Sequence, residues 1–339
     1  MFDQNRNNLA GLVHLMKLIL GMTLLFEGAG TLLFGVYFYA AGYADSFSQA
    51  FRYGLFHSVS SYTNAGFDLF GNSLQNYADD YFVQGLSMVL MVLGAIGFPV
   101  LAELREYVGR GRGKFRFSLY TKVTTATYGL LLIAGAAGIW LTENRSFFAT
   151  LDWQHKLSYA LFASVTARSA GLTTFDPAAL SDAGKLVLST LMFIGASPSS
   201  MGGGVRTTTI AVIVMMLVTF VRGGSEVRLF GRSLHQEDVI KSFAFFSTAL
   251  ALLLAGVWFI CMAEPLGTSF AAILFEASSA FGTCGLSTGI TGTLTPASKI
   301  ALILLMYIGR IGMMLFLSSF RSSKPQPDLR YPAEKLIIG

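Results

Sequence analysis

Six long apolar runs dominate this sequence and limit what it can fold into. The hydrocarbon core of a bilayer is about 30 Å thick, and a helix of roughly 20 apolar residues is long enough to cross it. Runs of this length lie at residues 13–42, 82–102, 123–141, 183–220, 240–262 and 297–320. The sequence therefore predicts an all-α, polytopic membrane protein with six crossings.

Composition supports a membrane protein and excludes a soluble one. Charged residues make up 13% of the 339 residues, against about 25% in soluble proteins. The formal net charge is +5, but the basic residues lie between the apolar runs instead of forming one basic domain. We therefore expect no nucleic acid partner.

The positions of the basic residues indicate the topology. Of the 24 Lys and Arg residues, 16 lie in the N-terminal stretch, in the linkers 103–122 and 221–241, or in the C-terminal tail. Lys and Arg concentrate in cytoplasmic segments of membrane proteins. This predicts a multi-pass protein of the cytoplasmic membrane with both termini in the cytoplasm.

Two short patterns recur three times along the chain. Glycine ends the pattern Met-x-Leu/Ile-Gly at Gly94, Gly195 and Gly309, with spacings of 101 and 114 residues. A turn of small residues and glycine precedes each copy, at residues 63–67, 168–172 and 282–286. The repetition predicts three units, 1–110, 111–225 and 226–320, followed by a cytoplasmic tail, 321–339.

Each unit contains a segment that is too short to cross a bilayer. These segments, about 48–63, 154–168 and 267–283, begin with bulky apolar residues and end in Ser, Thr and Ala before the glycine turn. Irregular backbone at membrane depth survives only where it is buried in protein or lines a water-filled path. The sequence therefore predicts that each unit consists of a helix, a pore helix, a filter strand and a second helix, in that order.

The glycine turns carry groups that suit a cation. Backbone carbonyl oxygens can replace the hydration shell of an ion, and the carboxyl end of a helix carries a partial negative charge. The candidate ligands for K⁺ are the carbonyls of Asn64, Ala65, Gly66, Ser169, Ala170, Gly171, Thr283, Cys284 and Gly285. The alternative for any single turn is a packing kink.

The three units resemble the Ktr-type membrane subunit of the Trk/Ktr/HKT superfamily of potassium transporters. Residues 63–67, 168–172 and 308–312 are similar to the second, third and fourth repeats of that family. The resemblance implies potassium uptake, filter glycines at Gly66, Gly171 and Gly285, and no organic cofactor. It also implies a homodimer and a cytosolic nucleotide-binding regulatory ring of the KtrA/TrkA type, and it leaves Na⁺ open as a coupling or activating ion.

The resemblance is incomplete, because the first of four repeats is absent. We expect a pseudo-fourfold arrangement with one repeat missing and one side of the filter open. A shortened gene model is the preferred interpretation. The alternative is a short paralogue that conducts poorly or needs a companion.

A dense run of glycine and proline interrupts the fourth apolar run. It predicts separate helical pieces at 183–194 and 205–220. A nucleotide-binding loop is rejected because no Gly-Lys-Ser/Thr follows. The resemblance implies a gate beneath the filter, and a simple kink is the alternative. The candidate gate residues are Gly195, Ser197, Pro198, Gly202, Gly203, Gly204 and Arg310.

Two arginines lie within apolar segments. Burying a charge in the membrane costs free energy, so such residues usually have a function. The resemblance places Arg310 at the pore constriction, and pairing with Glu276, Glu27 or loop carbonyls is the alternative. Arg168 precedes Gly171, and we expect it to turn away from the axis and pair with a neighbouring acid. The alternative is that its charge opposes cation entry at the base of the filter strand.

No enzymatic constellation is present in the sequence. A nucleophile triad, a metal cluster and a paired acid and base are all missing at usable spacing. A membrane-embedded enzyme or assembly subunit, and a cation-coupled solute carrier, are the alternatives to an ion pore. The basic linkers and the tail predict a surface for the regulatory ring, unless they only fix topology and contact membrane lipid.

Overall fold

The computed structural model describes residues 9–109 and 115–320, and within them one series of four helices occurs three times. The first series is α1 (Leu9–Ala40), α2 (Phe47–Tyr62), α3 (Tyr81–Ala95) and α4 (Phe98–Gly109). The second is α5 (Leu119–Glu143), α6 (Trp153–Thr166), α7 (Asp182–Phe193) and α8 (Thr207–Val221). The third is α9 (Gln236–Ala263), α10 (Phe270–Phe281), α11 (Pro296–Ile311) and α12 (Met313–Ser319). The predicted all-α class is confirmed, and the predicted tail 321–339 lies outside the described residues.

The first helix of each series has the length and composition of a membrane-crossing helix. Leu15–Ala40, Leu119–Glu143 and Gln236–Ala263 are the three helices in the described ranges that are long and apolar enough to cross a bilayer. The other three predicted crossings are each divided into two helices. The α3–α4 pair bends by 104° and the α11–α12 pair by 101°.

The runs 82–102 and 297–320 each have the composition of one crossing, but each is bent, which the sequence did not predict. Gly97, between α3 and α4, has φ +99°, and Gly312, between α11 and α12, has φ +85°. This backbone region is open to glycine and ends a right-handed helix. The length of an apolar run depends on hydropathy and not on backbone conformation. The two bends could therefore not be predicted from these runs. The break between α7 and α8 lies where glycine and proline predicted it.

The second helix of each series, the predicted half-helix, is too short to cross a bilayer. The helices α2, α6 and α10 have 16, 14 and 12 residues, which gives lengths of about 24, 21 and 18 Å at 1.5 Å per residue. Small side chains let two of them pack closely on the preceding helix. Ser58 Oγ donates to the Glu27 carbonyl and Ser164 Oγ to the Leu132 carbonyl, both at 2.8 Å.

The second and third half-helices, with the turns that follow them, also pack against the preceding series. Phe162 and Leu172 belong to the apolar cluster built mainly from the first series. Phe275 and Cys284 belong to the cluster built mainly from the second. The three series therefore stand side by side in chain order.

A short β-hairpin lies in the second basic linker and was not predicted. Its strands are β1 (Arg228–Leu229) and β2 (Arg232–Ser233), paired antiparallel with Arg228 opposite Ser233. It leaves both arginines exposed beside the start of α9.

Candidate ion pathway

The three turns that follow the half-helices have one backbone geometry. In each turn two residues, two positions apart, have positive φ. These pairs are Asn64 and Gly66 (51° and 72°), Ser169 and Gly171 (75° and 78°), and Thr283 and Gly285 (48° and 101°). Alternation in the sign of φ turns successive carbonyl groups toward one side of a strand, which is the arrangement that ion coordination by backbone needs. The sequence predicted the glycines but not the positive φ of their polar partners.

The segments 64–66, 169–171 and 283–285, the candidate filter strands, lie next to one another. A Cβ atom added to Gly66 would lie 2.7 Å from the Ala170 carbonyl oxygen and 3.2 Å from Gly171 Cα. A Cβ atom on Gly171 would overlap the Cys284 carbonyl oxygen and lie 3.4 Å from Gly285 Cα. The structure thus brings Gly66, Gly171 and Gly285 together in chain order.

The third strand, 283–285, has an open side. Within 4 Å of a Cβ atom on Gly285, Gly171 Cα is the only described neighbour, at 3.7 Å. The first and third strands are therefore in different surroundings from the second, which has a strand on each side.

The amides of the turns point back to the half-helices. The Ala65 N–H donates to the Ser60 carbonyl at 3.0 Å, and the Cys284 N–H donates to the Ser279 carbonyl at 2.9 Å. The Ala170 N–H donates to the Thr166 carbonyl at 3.0 Å. The carboxyl end of each half-helix therefore leads directly into its filter strand.

The carbonyls of the filter strands are free. Among the described residues, none of the nine candidate carbonyl oxygens accepts a hydrogen bond from a protein donor. The carbonyls just beyond Gly66 and Gly171 are occupied, because Ser60 Oγ donates to the Phe67 carbonyl at 2.6 Å and Thr166 Oγ1 to the Leu172 carbonyl at 2.5 Å. These two hydroxyls end the run of free carbonyls in the first and second strands, and sequence reasoning missed them.

The loop between α7 and α8, residues 194–206, lies against the inner ends of the filter strands. The Gly203 N–H donates to Ser169 Oγ at 2.9 Å. A Cβ atom on Gly202 would lie 2.8 Å from Ser169 Cβ, and one on Gly203 would lie 3.0 Å from Thr283 Cγ2. The candidate gate residues Gly202 and Gly203 are thus directly beneath the second and third strands.

The bends of the other two broken helices hold this loop. The Ser197 N–H donates to the Ala95 carbonyl at 3.1 Å and the Met201 N–H to the Gly94 carbonyl at 3.2 Å. The Gly204 N–H donates to the Gly309 carbonyl at 3.3 Å. The repeated glycines of the Met-x-Leu/Ile-Gly pattern are therefore contact points of the loop.

Two guanidinium groups bind carbonyls of the loop. Arg310 Nη1 donates to the Met201 carbonyl at 2.6 Å. Arg206, which sequence reasoning did not single out, donates from Nη1 to the Ser197 carbonyl at 3.2 Å and to the Gly202 carbonyl at 2.5 Å. Within the described residues neither arginine forms an ion pair with a carboxylate. Of the sequence alternatives for Arg310, the loop carbonyl is the partner that the structure has.

Glu276, a proposed partner of Arg310, has other partners. Its carboxylate accepts hydrogen bonds from the hydroxyls of Ser287, Thr288 and Thr291, at 2.8, 3.0 and 2.7 Å. These residues follow the third filter strand. Glu276 therefore ties the outer side of that strand to its half-helix.

The expectation that Arg168 pairs with an acidic residue is wrong. The side chain is buried and turns to α5, where Nη1 donates to the Tyr128 carbonyl at 3.1 Å and Cζ lies 4.4 Å from the centre of the Tyr128 ring. A carbonyl and an aromatic face therefore take the place of a carboxylate, and no sequence pattern marks Tyr128 for this role.

Comparisons with known proteins identify the family of this chain. The cation transport protein family TrkH matches residues 5–330. The Ktr system potassium uptake protein D of Bacillus subtilis is 42% identical over 339 residues, which cover 100% of this chain and 75% of that protein. The potassium/sodium uptake protein NtpJ of Enterococcus hirae is 31% identical, over 99% of this chain and 74% of that protein.

A solved structure shows the same fold. The potassium transporter TrkH from Vibrio parahaemolyticus matches with a TM-score of 0.66 and 20% identity, over 85% of this chain and 61% of that chain. The described chain thus spans about three-fifths of that protein. With the family matched along nearly its whole length and the fold shared, this chain is a multi-pass membrane protein that belongs to the TrkH family of cation transport proteins, a family of transporters and not of enzymes.

Proposed function

We propose that this chain is the ion-translocating subunit of a Ktr-type potassium uptake system of the cytoplasmic membrane. The observation that carries the proposal is the set of nine free carbonyls on three adjoining strands, each at the carboxyl end of a half-helix. Such groups replace the water around a cation without placing a full charge beside it. K⁺ is the transported ion and needs no organic cofactor.

The relatives support potassium as the ion. Protein D of Bacillus subtilis carries potassium uptake in its name, and NtpJ carries potassium and sodium. Na⁺ is therefore proposed as a second ion, either transported or activating. The close approach of the strands favours this function over a solute carrier, whose cavity would have to hold more than one dehydrated ion.

The gate in this proposal is the loop 195–204 with Arg310. The loop lies across the inner ends of two strands, and Arg310 holds one of its carbonyls. A positive charge at this point opposes a cation that leaves the filter. Movement of the loop away from Ser169 opens the path.

The assembly belongs to the proposal as well. The basic linkers support cytoplasmic termini and a cytoplasmic regulatory ring that binds nucleotide, and the exposed hairpin at 228–233 offers that ring a contact. The membrane subunit is proposed to be a homodimer in membrane lipid, as the Ktr resemblance implies.

Potassium uptake by a transport-deficient bacterial host tests the function. The chain is expressed alone and with any in-frame sequence found upstream of Met1, and growth in low potassium is measured. Rescue by the extended form alone would show that the upstream sequence is necessary, whereas a short paralogue would act only with a companion. Absence of rescue and of uptake in every form would refute the proposal.

A matched pair of glycines sharpens the test. Gly171 and Gly71 have φ +78° and +79°, so alanine strains both backbones alike. A Cβ atom on Gly171 meets the Cys284 carbonyl, but one on Gly71 meets nothing within 4 Å. We expect Gly171→Ala to abolish uptake and Gly71→Ala to retain most of it. Equal uptake by the two variants would count against the filter.

A further inference from the structure

A crevice of about 250 Å³ lies between the α3–α4 bend and α5. Its apolar wall consists of Leu93, Ile96, Val100, Leu101, Leu104 and Phe117. Leu104 is 45% exposed, so the crevice opens on the outer surface of the protein. It lies between the first and second series, away from the open side of the third filter strand.

One cation lies at the edge of this crevice. Lys122, the fourth residue of α5, lines the crevice and is exposed, and no carboxylate within residues 9–109 and 115–320 pairs with it. The carboxylate of Glu103, on α4, accepts the Ser118 N–H at 3.0 Å. Lys122 also belongs to the basic linker that the topology places on the cytoplasmic side. An apolar cleft with a cation at its edge is complementary to an anionic amphiphile.

We propose that this crevice binds an anionic phospholipid, with one acyl chain along the apolar wall and the phosphate at Lys122. Basic pockets between membrane helices on the cytoplasmic side take anionic lipid headgroups. A zwitterionic lipid can fill the same apolar wall, but its own ammonium group competes with Lys122 for the phosphate. Selectivity for negative charge is therefore the signature of the site.

The two walls of the crevice also hold the gate loop. The α3–α4 bend, which carries Ile96, donates from the Phe98 N–H to the Ser199 carbonyl at 2.9 Å. On α5, the Tyr120 hydroxyl donates to the Pro198 carbonyl at 2.6 Å. A lipid that packs between these walls stabilises the loop position described above. This coupling rests on the proposed function, whereas the lipid binding does not.

Native mass spectrometry of the full chain in detergent tests the binding. Dioleoylphosphatidylglycerol is compared with dioleoylphosphatidylcholine, and we expect tighter binding of the former. Lys122→Gln should weaken its binding about fivefold, the factor expected for one basic residue at a lipid surface, and Lys122→Arg should restore it. Equal binding of the two lipids by the unmodified chain would overturn the proposal.

Lys241 provides a matched control. It lies near the start of α9 as Lys122 lies near the start of α5, but it pairs with Glu237 at 3.3 Å. Lys241→Gln should leave phosphatidylglycerol binding unchanged. A loss equal to that of Lys122→Gln would mean that the lipid senses general charge and not this crevice.

A second variant tests the acyl chain. Leu104→Trp adds volume at the open edge and, because the position is exposed, should not disturb folding. We expect it to reduce binding of phosphatidylglycerol. Unchanged binding, or efficient cross-linking of Leu104→Cys to a second copy of the chain, would assign the crevice to another occupant and overturn the proposal.

Potassium flux in liposomes tests the coupling. We expect higher basal flux in phosphatidylcholine than in liposomes that contain phosphatidylglycerol, and Lys122→Gln should remove the difference. Selective lipid binding with equal flux in both membranes would overturn the coupling alone. Absence of flux in both membranes would count against the proposed function and leave the binding result standing.

Discussion

The backbone N–H of Gly203 donates a 2.9 Å hydrogen bond to Oγ of Ser169, and the same hydroxyl donates a 2.5 Å hydrogen bond to the Gly282 carbonyl. Ser169 begins the second filter strand, Gly203 lies in the loop beneath it, and Gly282 ends the third half-helix. One buried hydroxyl therefore joins the loop to two series. The loop and the filter form one hydrogen-bonded unit.

Ser169→Ala should free the loop from the filter. The substitution leaves the Gly203 N–H without its partner, and an unsatisfied buried donor costs about 1–3 kcal/mol. We expect a lower melting temperature in detergent and a higher potassium flux in liposomes. Ser189→Ala is the control, because Ser189 is equally buried but donates to Lys185 of its own helix. Similar flux in the two variants would contradict the link.

Arg206 and Arg310 should act on the loop together. Removing either guanidinium frees loop carbonyls and removes a positive charge from the path, so Arg206→Gln and Arg310→Ala should each raise flux. Because both side chains bind the same short loop, their effects should be non-additive in the double variant. Arg145→Ala, which removes an exposed arginine outside the loop and the hairpin, should leave flux unchanged. Unchanged flux in Arg206→Gln, in Arg310→Ala and in the double variant would refute the gate.

Local composition was sufficient for most helices of the fold, but not for the bends at Gly97 and Gly312 or for the hairpin. The long apolar runs, the short segments that end in small residues, and the repeated glycines are each read within about 30 residues. They predicted the crossing helices, the half-helices and the break after α7 because hydropathy, helix length and glycine act locally.

The features that sequence reasoning missed depend on distant segments. The bend at Gly97 packs against the Pro198 carbonyl oxygen, which would lie 2.7 Å from a Cβ atom added to Gly97. These two residues are about 100 positions apart in the sequence. Arg206 was passed over because its partners, loop carbonyls, have no side-chain signature. Arg168 was assigned an acid because a ring and a carbonyl cannot be recognised from spacing. The proposed ion-binding and gating roles themselves await the experiments above.

Glu264, at the carboxyl end of α9, should make stability depend on pH. Hydrogen bonds from Ser298 and Thr295 hold the pKa of Glu264 below its usual 4.5. A lowered pKa means that its stabilisation is present above pH 4.5 and is lost as the pH falls through the lowered value. Melting temperatures between pH 3 and pH 7 should show this loss, and Glu264→Gln should flatten it. The same flattening in Glu226→Gln would show that the effect is not specific.

Two glycines of one helix should respond oppositely to alanine. In α3, a Cβ atom on Gly94 would overlap the Tyr62 carbonyl oxygen and lie 2.6 Å from Asn64 Nδ2, whereas one on Gly85 would meet nothing within 4 Å. Gly85→Ala should stabilise the protein by about 1 kcal/mol through helix propensity. Gly94→Ala should destabilise it by about 1–3 kcal/mol, because an overpacked contact forces backbone shifts.

The displacement in Gly94→Ala also has a functional consequence. Tyr62 ends the first half-helix, and Asn64 begins the first filter strand, so a shift of α3 moves free carbonyls of the filter. Potassium uptake should therefore fall in Gly94→Ala even at temperatures where the variant is fully folded, and Gly85→Ala should retain normal uptake. Folded Gly94→Ala with normal uptake would show that the first strand tolerates movement of α3, and would separate this contact from ion passage.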